Sequence, residues 1–144
     1  MAEVIYVDAS ALLRIVFEEP GRRAPIHDAA VVASSSLVEV ELFRALDRAH
    51  RLRHLGDVAR MRKTVEIKSL LRGIVRFPLS DEVIEYASES FTPAISVGEA
   101  VHLATAQIVA IEATEFEFWT HSPEQAAAAM TRRFTVRGLN LGRH

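Results

Sequence analysis

Cysteine is absent from the 144 residues of this chain. Without thiols the protein cannot form a disulfide, bind zinc through thiolates or use a cysteine nucleophile. The N-terminus also has no basic region followed by an apolar stretch, so we expect no secretory signal. Both absences suit a protein of a reducing compartment, and we expect it in the cytoplasm.

Long uninterrupted apolar runs are also missing. The most apolar long segment, 94–111, contains Glu99, His102 and Gln107, and it predicts a buried helix rather than a membrane span. The chain lacks the glycine-rich fingerprints that bind nucleotide phosphates or dinucleotides. We therefore expect neither a membrane protein nor a protein of the common nucleotide-binding classes.

Lysine does not occur after Lys68. A phospho-acceptor receiver domain would need a functional lysine late in the chain, so this class of small doubly wound protein is disfavoured. No linker rich in proline, glycine or serine and no internal repeat divides the chain. Its length therefore predicts a single domain over residues 1–144.

Positive charge is missing from the stretch 77–131, which has nine acidic residues and no lysine or arginine. The preceding stretch, 44–76, has 10 basic residues and three acidic ones. The net charge of −2 therefore conceals two blocks of opposite sign. Such a pattern indicates either a polyanion-facing element beside an acidic site or two solvated helix faces.

Short β-branched runs alternate with helical patterns along the chain. We predict strands at 3–7, 30–33, 74–77, 116–120 and 134–136. We predict helices at 9–17, then after Pro20-Gly21 to about 29, from Ser36 toward Gly56, after Gly56 to about 71, and at 80–90, 97–112 and 123–130. Strands separated by helices favour an α/β fold, a parallel sheet with helices on both faces.

Asp8 ends the apolar run at 4–7 and is followed at once by the first predicted helix. It therefore lies at the carboxyl end of a strand, where open α/β sheets bind their ligands. A helix N-terminus favours negative charge there. Aspartate is also a good helix N-cap, so a ligand-binding role and a capping role both remain open for Asp8.

Acids at several strand ends and helix starts are what a metal-dependent phosphodiesterase needs, because carboxylates hold Mg²⁺ while water and phosphate complete its coordination. Glu39 and Glu41 lie near the start of the helix that Ser36 opens. Glu39 has capping-box spacing from Ser36, which explains it structurally. Glu41 lies among apolar residues, where a solvated charge is unexpected. We therefore prefer Glu41 to Glu39 as a metal ligand.

Glu99 is the third candidate ligand. It has capping-box spacing from Ser96, so a structural role is open here as well. His102 follows three residues later, and a Glu-x-x-His pair resembles the metal sites of helix bundles. Those sites need a second copy of the pair, which this chain lacks. We expect His102 to be packed in the core or to support the site.

Serine follows the predicted strand at 116–120 where an acid would complete the set. Ser122, with Pro123 next and Gln125 three residues on, makes a good helix N-cap. An aspartate at this position would cap the helix and also supply a carboxylate. Serine keeps the cap without the charge.

In order and spacing these segments resemble the PIN-domain family and, within it, the small VapC-type ribonuclease toxins. The likeness covers nearly the whole chain and is carried by four segments: 7–12, 40–46, 99–106 and 119–122. They resemble, in turn, the family's opening Asp with its following hydroxyl residue, its Glu helix, its most recognisable segment and its last strand end. Asp is usual in the family at the positions of Glu99 and Ser122.

The resemblance implies a PIN-like three-layer α/β/α sandwich with a short parallel sheet of about five strands. It also implies a Mg²⁺- or Mn²⁺-dependent endoribonuclease that forms a homodimer and is neutralised by a small antitoxin protein. The catalytic, metal-binding residues would then be Asp8, Glu41 and Glu99. Water or phosphate would be positioned by Ser10, Thr120 and Ser122.

The basic helical pair and the two departures leave alternatives open. Candidates to contact the RNA backbone, or an acidic or apolar antitoxin segment, are Arg44, Arg48, Arg51 and Arg53. Glu99 keeps a carboxylate on an arm longer by one methylene, whereas Ser122 removes one. Three acids still suffice for one divalent ion. The chain is therefore either a one-metal ribonuclease, with reduced activity possible, or a weak or inactive PIN-fold protein that binds RNA or an antitoxin.

Overall fold

The computed structural model describes residues 3–139, which fold around a parallel sheet of five strands. The strands are β1 (Val4–Val7), β2 (Val31–Ser35), β3 (Val75–Phe77), β4 (Phe116–Trp119) and β5 (Thr135–Arg137). The helices are α1 (Ala9–Val16), α2 (Leu37–Arg51), α3 (Asp57–Arg72), α4 (Asp81–Ala87), α5 (Val97–Ala110) and α6 (Pro123–Thr131). The predicted α/β class with a short parallel sheet is confirmed.

The strand order β3-β2-β1-β4-β5 makes β1 the centre of the sheet. The chain moves outward from β1 to β3 and then returns to place β4 on the other side of β1. In open α/β sheets, ligands bind where the strand order reverses, outside the carboxyl ends of the strands. Here that crevice lies between β1 and β4, whose last residues Val7 and Trp119 are paired. The residues after these two strands therefore meet.

Successive residues of β1 face opposite sides of the sheet, and both sides are covered. Ile5 and Val7 pack into a core formed with α1, α2 and α3, and Val4 and Tyr6 pack into a second core formed with α5 and α6. Burial on both faces explains why β1 is a continuous apolar run rather than an alternating one. The result is the three-layer arrangement of helices, sheet and helices.

The segment 21–30 contains no helix, so the short helix predicted after Pro20-Gly21 is wrong. A turn forms instead, in which the Asp28 N–H donates to the Pro25 carbonyl at 3.1 Å. Pro25 lacks a backbone donor and disfavours helical geometry in the residue before it. Only Ala24 of this segment is buried, so little apolar surface is available to hold a short helix against the core.

Several predicted boundaries shift by a few residues. β2 begins at Val31 and continues to Ser35 because it pairs with β1 on one side and β3 on the other. The helix predicted at 80–90 ends at Ala87, and the Ser88 hydroxyl donates to the Ile84 carbonyl at 2.7 Å just after it. Pairing with strands distant in sequence sets the ends of β2, and a polar side chain satisfies a carbonyl where α4 ends.

α5 is the buried helix that the apolar segment 94–111 predicts. Its residues 100–106, including His102 and Thr105, are all buried between the sheet and the neighbouring helices. None of the helices within residues 3–139 combines the length and the apolar character needed to cross a membrane.

Gly138 holds the chain after β5 in a conformation that other residues avoid. Its φ is +107°, and a Cβ built there would lie 2.5 Å from the Thr120 carbonyl oxygen. We expect Gly138→Ala to lower the free energy of unfolding by about 1–3 kcal/mol from backbone strain alone, as measured by urea denaturation. Gly73→Ala is the matched control, because the nearest atom to its Cβ, the Leu70 carbonyl oxygen, is 3.6 Å away. That control should equal or slightly exceed the wild type in stability, and an equally stable Gly138→Ala would contradict the close approach.

Candidate active site

Asp8 lies buried at the point where β1 meets α1. Its backbone N–H donates to the Trp119 carbonyl at 3.2 Å, which joins it to the end of β4. Its Oδ1 accepts from the Ala11 N–H at 2.9 Å and from the Ser10 hydroxyl at 2.7 Å. Its Oδ2 accepts from the Thr120 hydroxyl at 2.5 Å. Asp8 is therefore the N-cap of α1 and also a carboxylate fixed at the crevice of the sheet.

Burial raises the pKa of the Asp8 carboxyl above its ordinary value, because the side chain has almost no contact with solvent. The charge of His102 and the hydrogen bonds from Thr120, Ser10 and Ala11 act in the opposite direction without cancelling it. A cation beside this carboxylate would therefore relieve an existing electrostatic cost.

Glu41 extends from α2 toward the same crevice and is half-buried. Its Oε1 accepts a hydrogen bond from His102 Nε2 at 2.6 Å. Glu39, two residues earlier, is exposed and pairs with Arg76 at 2.9 Å. The predicted preference for Glu41 over Glu39 stays a prediction, and only Glu41 is among the residues around the crevice.

The capping box predicted between Ser36 and Glu39 is wrong. Ser36 has helical backbone angles and makes no capping hydrogen bond with its side chain. The Ser35 hydroxyl accepts from the Leu37 N–H at 3.1 Å instead. Glu39 is left free to form its ion pair with Arg76, so its structural role is electrostatic.

Glu99 is held at the start of α5 by the capping box that the sequence predicts with Ser96. Its Oε1 accepts from the Ser96 N–H at 3.2 Å, and its Oε2 accepts a short hydrogen bond from the Ser122 hydroxyl. Ser122 is the N-cap of α6, as predicted, and accepts from the Gln125 N–H at 3.2 Å. Its own N–H donates to the Thr120 hydroxyl oxygen at 3.1 Å. Glu99 therefore joins α5 to the end of β4.

One cavity of about 270 Å³ brings the predicted acids together. Its lining includes Asp8, Ser10, Glu41, Glu99 and Ser122, which come from both ends and the middle of the chain. Thr120 reaches the cavity through its hydrogen bond to the carboxylate of Asp8. The carboxyl ends of β1 and β4 and the starts of α1, α2, α5 and α6 thus meet in an acidic, hydroxyl-rich crevice.

A model of the PIN domain family matches residues 5–130. The chain belongs to the PIN domain family. Proteins of this family are generally nucleases, hence hydrolases, that act on nucleic acid and typically use divalent metal ions. No sequence among curated proteins matches the chain.

The PIN-fold cavity offers suitable donor atoms for a hard divalent ion but not a closed set of ligands. Among residues 3–139 no group of three His, Asp or Glu side chains could hold a metal ion. Carboxylate and hydroxyl oxygens are nevertheless the donors that Mg²⁺ and Mn²⁺ prefer. Gly98 also leaves room at Glu41, because a Cβ built on it would lie 3.1 Å from Glu41 Oε2. The residues fit such an ion chemically, and ligation by all three acids at once would require movement of at least one of their side chains.

The arginines predicted to contact RNA or an antitoxin lie outside this cavity and are all exposed. Arg44 and Arg48 follow Glu41 on α2 at intervals of three and four residues, so the three share one face of the helix. At 1.5 Å per residue, Arg48 lies about 10 Å along the helix axis from Glu41. A basic stripe therefore leads away from the acidic crevice.

The remaining two arginines lie where α2 ends. Arg51 and Arg44 both contact Asp47, at 3.1 and 3.4 Å, in ion pairs that leave most of each arginine side chain in solvent. Arg53 follows the helix and has a φ of +59°, so the chain turns there toward α3. The stripe thus continues to the connection between the two basic helices.

Three residues at the site were not predicted to be there. Tyr6 donates to or accepts from His102 Nδ1 at 2.8 Å from within the second core. The Gln125 side-chain amide donates to the Glu99 carbonyl at 3.0 Å and lines the cavity. Gly98 is the third. Only Gln125 carried a sequence signal, which is its position three residues after the N-cap Ser122.

The raised pKa of Asp8 has a defined consequence for stability. A carboxyl whose folded pKa is raised binds its proton more tightly in the folded state, so stability is lost as pH rises from the unfolded value, near 4, through the folded pKa. Asp8→Asn removes this loss, since the amide oxygen can accept from Ala11 and Ser10 and its NH₂ can donate to Thr120. We expect metal-free Asp8→Asn to be more stable than wild type at pH 7 and to lose this advantage near pH 4.

Urea denaturation of both proteins across this pH range, in the presence of a chelator, measures the difference. Glu39→Gln is the matched control for replacing a carboxylate with an amide, because Glu39 is exposed rather than buried. A stability difference between wild type and Asp8→Asn that does not change with pH would contradict the effect of burial on this carboxyl.

Proposed function

We propose that this PIN-domain protein is a metal-dependent endoribonuclease whose active site is the cavity lined by Asp8, Glu41 and Glu99. The observation that supports the proposal is the meeting of these three carboxylates, from separate parts of the chain, at the reversal point of a PIN-type sheet. We also propose that the whole chain, residues 1–144, works as one PIN-like domain.

In this proposal Asp8, Glu41 and Glu99 would hold Mg²⁺ or Mn²⁺. Such an ion, when bound, polarises a phosphoryl oxygen and lowers the pKa of a water molecule for attack on phosphorus. The protein's own hydroxyl groups orient the acids, because Ser10 and Thr120 fix both oxygens of Asp8 and Ser122 fixes one oxygen of Glu99. In the reaction they would also position water or phosphate.

We further propose that the nuclease is a VapC-type toxin that acts in the cytoplasm as a homodimer and is neutralised by a small antitoxin. The likeness of the four segments to such toxins supports this role. The basic stretch 44–76 would suit an acidic antitoxin segment. On α3, three apolar residues at helical spacing, Val58, Met61 and Val65, are 64%, 69% and 66% exposed. This exposed apolar face would suit an amphipathic antitoxin segment. Growth arrest on expression of the wild type, but not of Asp8→Asn, would support the toxin role.

RNA cleavage tests the nuclease directly. We expect purified protein to cleave RNA with Mn²⁺ or Mg²⁺ and to stop when a chelator is added. Asp8→Asn, Glu41→Gln and Glu99→Gln should each reduce the cleavage rate about 10²–10³-fold, the usual effect of removing one preorganised electrostatic group. Gel assays of cleavage at matched protein concentration provide the measurement.

Glu39→Gln is the matched control for these three variants. Glu39 is on the same helix as Glu41 but is paired with Arg76, so its loss should leave the cleavage rate nearly unchanged. Cleavage that does not depend on metal, or that persists in Asp8→Asn, would contradict the mechanism.

The basic stripe on α2 gives a second test. If Arg48 contacts an RNA phosphate, Arg48→Gln should weaken RNA binding about equally for different sequences and reduce the slope of log K against log salt by about one. Arg137→Gln is the matched control, since Arg137, on the edge strand β5, pairs with Glu117 of β4 at 3.1 Å. Fluorescence anisotropy at several salt concentrations measures both. An unchanged salt slope in Arg48→Gln would exclude this contact.

A second candidate function is binding of RNA or antitoxin with little or no catalysis. It is favoured by the hydroxyl of Ser122 at the position where the family usually has an acid, and by the absence, within residues 3–139, of a ready-made set of three metal ligands. Under this alternative the purified chain binds RNA or antitoxin without chelator-sensitive cleavage. Ser122→Asp would then raise metal affinity, whereas unchanged metal binding would argue against Ser122 as part of the site.

A further inference from the structure

A chain of three hydrogen-bonded side chains runs from the second core of the protein to the cavity. Tyr6 on β1 is 2.8 Å from His102 Nδ1, and His102 Nε2 is 2.6 Å from Glu41 Oε1. Tyr6 and His102 are almost completely buried, whereas the Glu41 side chain is 28% exposed. The three residues come from β1, α5 and α2, so the chain crosses three elements of the fold.

The proton positions in this chain follow from the chemistry of its two ends. A carboxylate can only accept, so the proton between His102 and Glu41 is carried by Nε2. In a neutral imidazole Nδ1 then accepts from the Tyr6 hydroxyl, and in a charged one Nδ1–H donates to the Tyr6 oxygen. The pKa of Tyr6 is raised well above its ordinary value by burial, which keeps that hydroxyl protonated. Every bond in the chain therefore has one donor and one acceptor.

The two oxygens of Glu41 have different surroundings as a result. Oε1 is engaged by His102, whereas Oε2 lies beside Gly98, where a Cβ would come within 3.1 Å. Among residues 3–139 no hydrogen bond is found to Oε2. Glycine at position 98 keeps this oxygen accessible, and the imidazole keeps the carboxylate from turning.

We propose that His102 and Tyr6 are positioning residues that fix Glu41 so that Oε2 is the oxygen available to a divalent cation. This inference rests on the proposed function of the cavity. Outer partners of this kind orient a metal-binding carboxylate, and their loss typically lowers metal affinity 10–100-fold. Were His102 only a packed core residue, its replacement would change stability and leave cation binding as it was.

Binding of Mn²⁺ alone, measured by calorimetry on the full chain without RNA, tests the proposal. His102→Leu removes the hydrogen bond to Glu41, and we expect affinity to fall 10–100-fold. His102→Gln should restore most of the affinity, because its amide N–H can donate to Oε1. Tyr6→Phe should cause a smaller loss, because it leaves the bond between His102 and Glu41 in place. Equal affinity in His102→Leu and wild type, or equal loss in His102→Leu and His102→Gln, would overturn the proposal.

Leu103→Val is the matched control for destabilisation. Leu103 is the next residue of α5 and is fully buried in the second core, so this variant weakens packing without removing a hydrogen-bonding group of the chain. It should bind Mn²⁺ like the wild type at a temperature where urea denaturation shows both proteins folded. A loss equal to that of His102→Leu would mean that destabilisation alone explains the effect and would overturn the proposal.

A metal-free measurement separates this proposal from the proposed function. Proton–nitrogen NMR of the histidine-labelled chain should show a slowly exchanging Nε2–H signal for His102 that is lost in Glu41→Ala. If the wild type binds no Mn²⁺ yet shows this signal, the metal-dependent function fails while the positioning of Glu41 stands. Without the signal in the wild type, the positioning of Glu41 fails, whatever the binding of Mn²⁺.

Discussion

The arrangement of the cavity depends on the parallel pairing of β1 with β4. This pairing brings the start of α1 against the end of β4, and it buries the carboxylate of Asp8 beside the hydroxyl of Thr120. The side chain is fixed by three donors, yet its charge remains costly because those donors are neutral and water is excluded. The other acids stand around this buried charge, so the crevice as a whole favours a cation over any neutral ligand.

Local patterns in the sequence were sufficient to predict the elements that carry this crevice. The apolar run of β1 and the acid after it predicted a strand end at Asp8, and the capping signals of Glu99 and Ser122 predicted two helix starts. The segment 21–30 was predicted wrongly because propensity cannot show that a segment lacks a core to pack against. The link between Tyr6 and His102 spans 96 residues of sequence, a separation at which no local pattern carries information.

The opposite charges of the crevice and of α2 have a joint effect on a polyanion. The stripe that begins at Arg44 attracts phosphate, whereas the carboxylates a turn away repel it. Exposed charges separated by more than about 10 Å are largely screened at ordinary salt, so each phosphate responds mainly to the nearest group. A bound divalent cation would remove the repulsion at the crevice without altering the attraction along the helix. Charge alone therefore makes phosphate binding near the crevice sensitive to a divalent cation.

The hydrogen bond between Ser122 and Glu99 changes how the two departures from the usual family residues are understood. They are 23 positions apart in sequence but in contact in the fold, so a substitution at one changes the surroundings of the other. The longer acid Glu99 contacts the shorter, uncharged Ser122, so the repulsion that two neighbouring carboxylates would have is avoided. Such contact predicts that the positions are epistatic: a change to aspartate at either one would have a different effect depending on which residue occupies the other.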